Sequence, residues 1–100
     1  MRLLEYTYMK LGEIDEIYNA EQLSVEWCNK NKNWFAWQRH AEQDFSVDAA
    51  INCLAHTRKR LSARSDAEGR IGLAEVESLL SEYLLRKHKV AEIAADCILC

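Results

Sequence analysis

An all-α fold is predicted by three features of this 100-residue sequence. Proline is absent, glycine occurs only at positions 12, 69 and 72, and good helix formers dominate, so the residues that most often interrupt helices are nearly missing. Apolar residues recur at steps of three and four, the period of a helix, and not at the step of two that a half-buried strand needs. The length suits one domain, able to bury roughly two thirds of its unfolded surface without metals or disulfides.

Leu3, Leu4, Tyr8 and Leu11 predict a first helix over residues 2–11, with Gly12 as a left-handed terminating residue. Asn19 is placed to cap a second helix over 20–28. Leu23 and Trp27 lie four apart there, and Glu21 and Gln22 sit in the first turn, where carboxylate and amide suit the helix dipole. Asn29 can close this helix in the left-handed conformation, and Asn31 is a preferred N-cap for a third helix beginning at Lys32. Helices joined by so short a turn meet at an angle. The expected unit is a helix-turn-helix, whose second helix can enter a DNA groove.

On a wheel, the third helix directs Trp34, Trp37, Gln38 and Ala41 inward and Lys32, Ala36, Arg39 and Gln43 outward, flanked by Asn33, His40 and Phe35. Phe35, at the edge of this basic strip, is expected to serve an interface.

Ser46 is placed as N-cap of a fourth helix with an apolar stripe of Val47, Ala50, Ile51, Leu54 and Leu61, and its last turns carry Arg58, Lys59, Arg60 and Arg64. The two remaining glycines make 65–72 read as a linker between a core at 1–64 and a helical arm at 73–100, all within a single domain. In the arm, Val76, Leu80, Tyr83, Val90, Ala94 and Cys97 approach a heptad seam, interrupted by Lys87, with a break foreseen near His88. Leu73, Leu79, Leu84, Leu85 and Ile93 widen it beyond what a four-helix core of this size covers. A homodimer is therefore expected through Val76, Leu80, Tyr83 and Leu84, the alternative being an arm folded back over the first and fourth helices.

The net charge of −3 hides a strong segmentation. Residues 1–28 carry two bases against six acids (−4), residues 29–64 seven bases against three acids (+4), and residues 65–100 four bases against seven acids (−3). The basic third coincides with the third and fourth helices. No Gly-rich phosphate loop, nucleophile elbow or distinctive carboxylate pair is present, so an enzyme is not expected. Cys53 with His56, and Cys97 with Cys100, are each three apart and could supply four tetrahedral zinc ligands, but no knuckle surrounds either pair, and no metal or other cofactor is expected. The four cysteines are expected as free thiols. Cys97-Ile98-Leu99-Cys100 has the outline of a prenylation box without a usual last residue or an upstream basic run. The early charges interrupt any leader-like apolar run, and no stretch reaches membrane-spanning length, so a soluble, cytoplasmic protein is expected.

Leu11-Gly12, Leu23, Trp27, Trp34-Phe35, Trp37 and Ser46 together give the chain a likeness over roughly residues 4–64: it resembles small, uncharacterised bacterial proteins with a helix-turn-helix-like core. It departs from their pattern at Asn29, where Gly is usual, at Phe45, where Pro is frequent, and at Gln38, where an apolar residue stands. The resemblance implies a fold more than a function. The expected function is that of a small regulator binding double-stranded DNA, with Lys32, Asn33, Arg39 and Gln43 near base edges and Lys30, Arg58 and Lys59 on the backbone. The rival is a protein-binding adaptor or inhibitor of phage or mobile-element type that acts on a host or phage protein complex without touching DNA.

Overall fold

The computed structural model describes residues 1–88 and is helical, with no strand among those residues. Five helices follow one another: α1 (Leu3–Glu13), α2 (one α-turn at Ala20–Gln22 running into a π-helical stretch at Leu23–Trp27), α3 (Trp34–His40), α4 (Val47–Ala63) and α5 (Ala67–Tyr83). A second π-helical turn, Leu84–His88, continues α5 to the end of the described residues. Leu4 and Leu11 of α1, Leu23 and Trp27 of α2, Trp34 and Phe35 of α3, Ala50 and Cys53 of α4, and Leu73, Val76 and Leu80 of α5 share one core. No helix among the described residues is long and apolar enough to cross a membrane.

The first three helices end in the same way. Asp15, Asn29 and Glu42 have φ of 61°, 56° and 57° and are the only non-glycine residues with positive φ among those described. After α1, Glu16 N–H reaches back to Leu11 C=O and Asp15 N–H to Gly12 C=O; after α3, Gln43 N–H reaches Gln38 C=O and Glu42 N–H reaches Arg39 C=O. These are Schellman closures, which satisfy the last carbonyls and turn the chain sharply. After α2 the closing bond, Lys30 N–H to Ser24 C=O, spans one residue more because the helix is π-wound there. Asn29 therefore closes α2 as expected. Gly12 does not close α1: the helix runs through it to Glu13, and Asp15 takes the left-handed position.

Asn19 caps α2, its side chain accepting from Gln22 N–H at 2.8 Å. The N-terminus of α1 is capped from far away. Asp44, in the loop between α3 and α4, accepts from Leu3 N–H at 3.0 Å, Leu4 N–H at 2.8 Å and Phe45 N–H at 2.8 Å. Gln38 donates its side-chain amide to Asp44 C=O at 2.8 Å and so holds that loop in place.

The segment expected as a linker is mostly helix. Asp66 caps α5, its carboxylate accepting from Gly69 N–H at 2.8 Å, and the helix runs through both glycines. Neither has a positive φ. They are there for close approach: a Cβ on Gly69 would lie 1.9 Å from Arg64 Nε, and one on Gly72 2.8 Å from Ile14 Cγ2. The short connection between α4 and α5 makes them an antiparallel pair, so α5 is part of the core and not a projecting arm.

Val76 and Leu80 are fully buried, Leu84 nearly so, and Tyr83 is half-buried with its hydroxyl donating to Phe45 C=O at 2.8 Å. The seam expected to face a second copy instead packs within the chain, because α1 and α4 both lie against it. Val90, Ile93, Ala94, Cys97, Ile98, Leu99 and Cys100 lie outside the described residues, and with them the rest of the arm, the terminal cysteine pair and the prenylation-like motif.

Candidate nucleic-acid interface

α2 and α3 cross on a small residue. Ser24 is fully buried, its hydroxyl donates to Ala20 C=O at 3.0 Å, and it accepts from Phe35 N–H at 3.0 Å. The second bond satisfies one of the amides that the first turn of α3 leaves without an intrahelical partner. Asn31 shapes the turn: its side chain accepts from Asn33 N–H at 2.9 Å, and its carbonyl accepts from Trp34 N–H at 2.9 Å. It thus acts inside an Asx turn and not as the helix N-cap. α3 begins two residues later than expected, at Trp34.

Trp34 and Phe35 enter the core side by side, and the Phe35 ring lies 4.7 Å from the Tyr8 ring of α1. Phe35 is only 3% exposed and is not an interface residue, whereas Trp37, expected inward, is 61% exposed. Ala41 also faces solvent. Trp27 and Trp34 are buried, so Trp37 is the exposed tryptophan of the three. Acrylamide is therefore expected to quench one tryptophan strongly and two weakly, and Trp37→Phe should remove the accessible component; an unchanged quenching curve would contradict this placement of α3.

The outward strip of Lys32, Asn33, Ala36, Arg39 and Gln43 is exposed, as the sequence led us to expect. The remaining basic residues fare differently. Lys30 is paired with Asp48, Arg58 with Glu77 at 3.0 Å, and Arg60 and Arg64 with Glu16 at 2.7 and 2.9 Å. Arg70 donates to Leu61 C=O and Arg64 C=O. Arg2, Lys10 and Arg86 pair with neighbouring glutamates on their own helices. Among residues 1–86, only Lys32, Arg39 and Lys59 are cations without a carboxylate or carbonyl partner. Two of the three belong to α3 or the turn entering it.

Lys59 does not join them. It lines a cleft of about 340 Å³ between α2 and α4 with Trp27, Asn52 and His56, whereas Arg39 lines one of about 590 Å³ beside α1 and the start of α2. The outer face of α2, with exposed Glu21 and Glu26, touches both sides. Of the residues expected at DNA, the fold therefore leaves Lys32, Asn33, Arg39 and Gln43 exposed on α3 or the turns flanking it, puts Lys59 in a different cleft, and ties Lys30 and Arg58 to acids.

Of the four residues whose spacing could suit zinc, Cys97 and Cys100 lie outside the described residues. Cys53 is fully buried against Cys28, whose thiol is pushed up by a hydrogen bond with Cys53 and by burial; both are free thiols. His56 instead packs on Trp27, ring centroids 4.4 Å apart, and its pKa is lowered by burial and then by Lys59. No group of three or more His, Cys, Asp or Glu among the described residues could hold a metal ion.

Ser24 and Asp44 carry the geometry of this unit, and sequence reading missed both. Ser24 had a visible signal, a small polar residue between Leu23 and the Trp27 stripe, where an apolar side chain would ordinarily stand. Asp44 had none, since its partners lie some forty residues away. A family model described as a family of unknown function (DUF6626) matches residues 4–95. No curated protein and no solved structure matches.

Proposed function

The chain belongs to DUF6626, a family of unknown function, and we propose that it is a small regulator that binds double-stranded DNA through α3. One observation supports the reading: most other cations among residues 1–86 are paired internally, while Arg39 on α3 and Lys32 in the turn before it are exposed without a partner among the described residues. Asn33 and Gln43 flank them with amides that can donate to and accept from base edges, and Arg39 has the fork that fits guanine O6 and N7. Two cations are few. Displacing two counterions gives a salt slope of about −2 per bound chain, which is weak binding at physiological salt. A lone seven-residue reading helix also covers few base pairs, so the proposal includes a second copy that doubles the site. Because Val76, Leu80 and Leu84 are packed internally, the apolar side chains that α5 and the turn after it leave in water are Ile71 and Leu85.

Selection from a random duplex library at low salt tests the proposal. A recovered motif whose binding is lost in the Lys32→Ala/Arg39→Ala double variant, and retained in Lys59→Ala, is the expected result. Recovery of no motif would overturn it.

A second reading, a protein-binding adaptor, is favoured by Trp37, which stands 61% exposed on α3. Tryptophan is enriched among the residues that dominate protein interfaces. On that reading Trp37→Ala abolishes retention of one stoichiometric protein partner from a nuclease-treated lysate, while the double cation variant leaves it intact.

A further inference from the structure

The cleft of about 590 Å³ on the α1 side of α3 is lined by Tyr8, Ala20, Phe35, Ala36, Arg39, His40 and Glu42. Its size falls within the usual range for small-molecule sites. Four of its polar groups have no partner among the described residues: the Tyr8 hydroxyl, the Arg39 guanidinium, the His40 imidazole and the Glu42 carboxylate. Their meeting at one cleft offers a bound molecule groups of both charges beside an aromatic pair.

The walls define what fits. Ala20 on α2 and Ala36 on α3 contribute only methyl groups, which leaves a slot for a flat ring beside the Tyr8–Phe35 aromatic pair. Arg39 can take a carboxylate through two parallel hydrogen bonds, with His40 beside it. Glu42 carries the opposite charge and can take an ammonium. Its backbone is left-handed, with φ of 57°, so the closure of α3 fixes the position of its Cα at the cleft.

We propose that this cleft binds a small aromatic zwitterion, a planar ring bearing both a carboxylate and a protonated amine, as in a free aromatic amino acid. The proposal goes beyond DNA binding and stands if DNA binding fails. Where both hold, the ligand occupies Arg39 and so competes with DNA.

L-Phenylalanine, phenylacetate and phenethylamine, titrated into the ¹⁵N-labelled full chain, separate the contributions. L-Phenylalanine is expected to give saturable shifts at Ala20, Ala36 and residues 39–42, with phenylacetate and phenethylamine each weaker by about tenfold or more, the scale of a lost charge-assisted hydrogen bond. Arg39→Ala should abolish the preference for the carboxylate. Glu42→Gly, which suits the left-handed backbone and leaves the fold intact, should abolish the preference for the amine. Ala36→Leu, at an exposed position, fills the slot and should remove binding of all three while the spectrum stays folded. Unsaturable shifts at millimolar L-phenylalanine, or equal binding of all three compounds, would overturn the proposal.

Discussion

Glu16→Gln is expected to destabilise the fold by about 3 kcal/mol, seen as a fall in melting temperature of about 12–24 °C for a domain of this size. The Glu16 side chain is 5% exposed and accepts from Arg60 Nε and Arg64 Nη1. Arg64 also donates to Ile14 C=O and to Asp66, the cap of α5. One carboxylate therefore ties the α1–α2 loop to the end of α4 and the start of α5. Glutamine keeps the shape but leaves two guanidiniums facing a neutral amide. The estimate sits at the low end of the range for buried pairs because Arg60 is 39% exposed and water can solvate it.

The same group makes a pH test. Burial pushes the Glu16 carboxyl up, and the hydrogen bonds and charges of Arg60 and Arg64 outweigh that and hold it below its ordinary value. A depressed folded pKa means that the stabilisation is in place above the ordinary glutamate value and is lost as pH falls through the lowered one. Asp66, held down to about 2 first by its hydrogen bond with Arg64, follows at more acid pH. The wild-type chain and Glu16→Gln should thus differ most near neutrality and converge in acid. A gap that stays constant from neutral to acid pH would show that the loss is one of packing and not of charge.

Ser24→Leu is expected to cost about 2–5 kcal/mol, combining overpacking where α2 and α3 cross with an orphaned Phe35 N–H. Ser24→Ala fits the space and loses only the hydroxyl, so about 1–2 kcal/mol is expected for it. Urea unfolding of both variants measures the difference. If leucine were tolerated as well as alanine, the helices would not cross on residue 24, and the outward strip on α3 would lose its structural basis.

The features legible in the sequence were local ones. Asn19 as a cap and Asn29 as a left-handed closure follow from the chemistry of single side chains; the α4 stripe follows from its period at Ala50 and Leu54 but not at Ile51, which is 41% exposed while Ala49, Cys53 and Thr57 are buried. Gly69 and Gly72 misled because glycine serves two needs, a turn or a close approach, and only the positions of Arg64 and Ile14 distinguish them. A wheel that pairs Trp34 with Trp37 and Ala41 puts Trp37 inward; the buried side is set instead by the adjacent Trp34 and Phe35 with half-buried Gln38, which leaves Trp37 in solvent. The excess charge of the basic third is largely cancelled in the fold by Glu16, Asp48 and Glu77, which pair with its cations. Counting charges segment by segment cannot reveal such pairing, since Glu16 lies 44 residues from Arg60.

The central claim is that the fold leaves Lys32 and Arg39 unpaired for contact with DNA, and fluorescence anisotropy of a selected duplex against salt concentration tests it most directly. The expected log–log slope is about −2 per bound chain, collapsing toward zero in Lys32→Ala/Arg39→Ala and unchanged in Trp37→Phe. A slope that the double cation variant leaves untouched would contradict it.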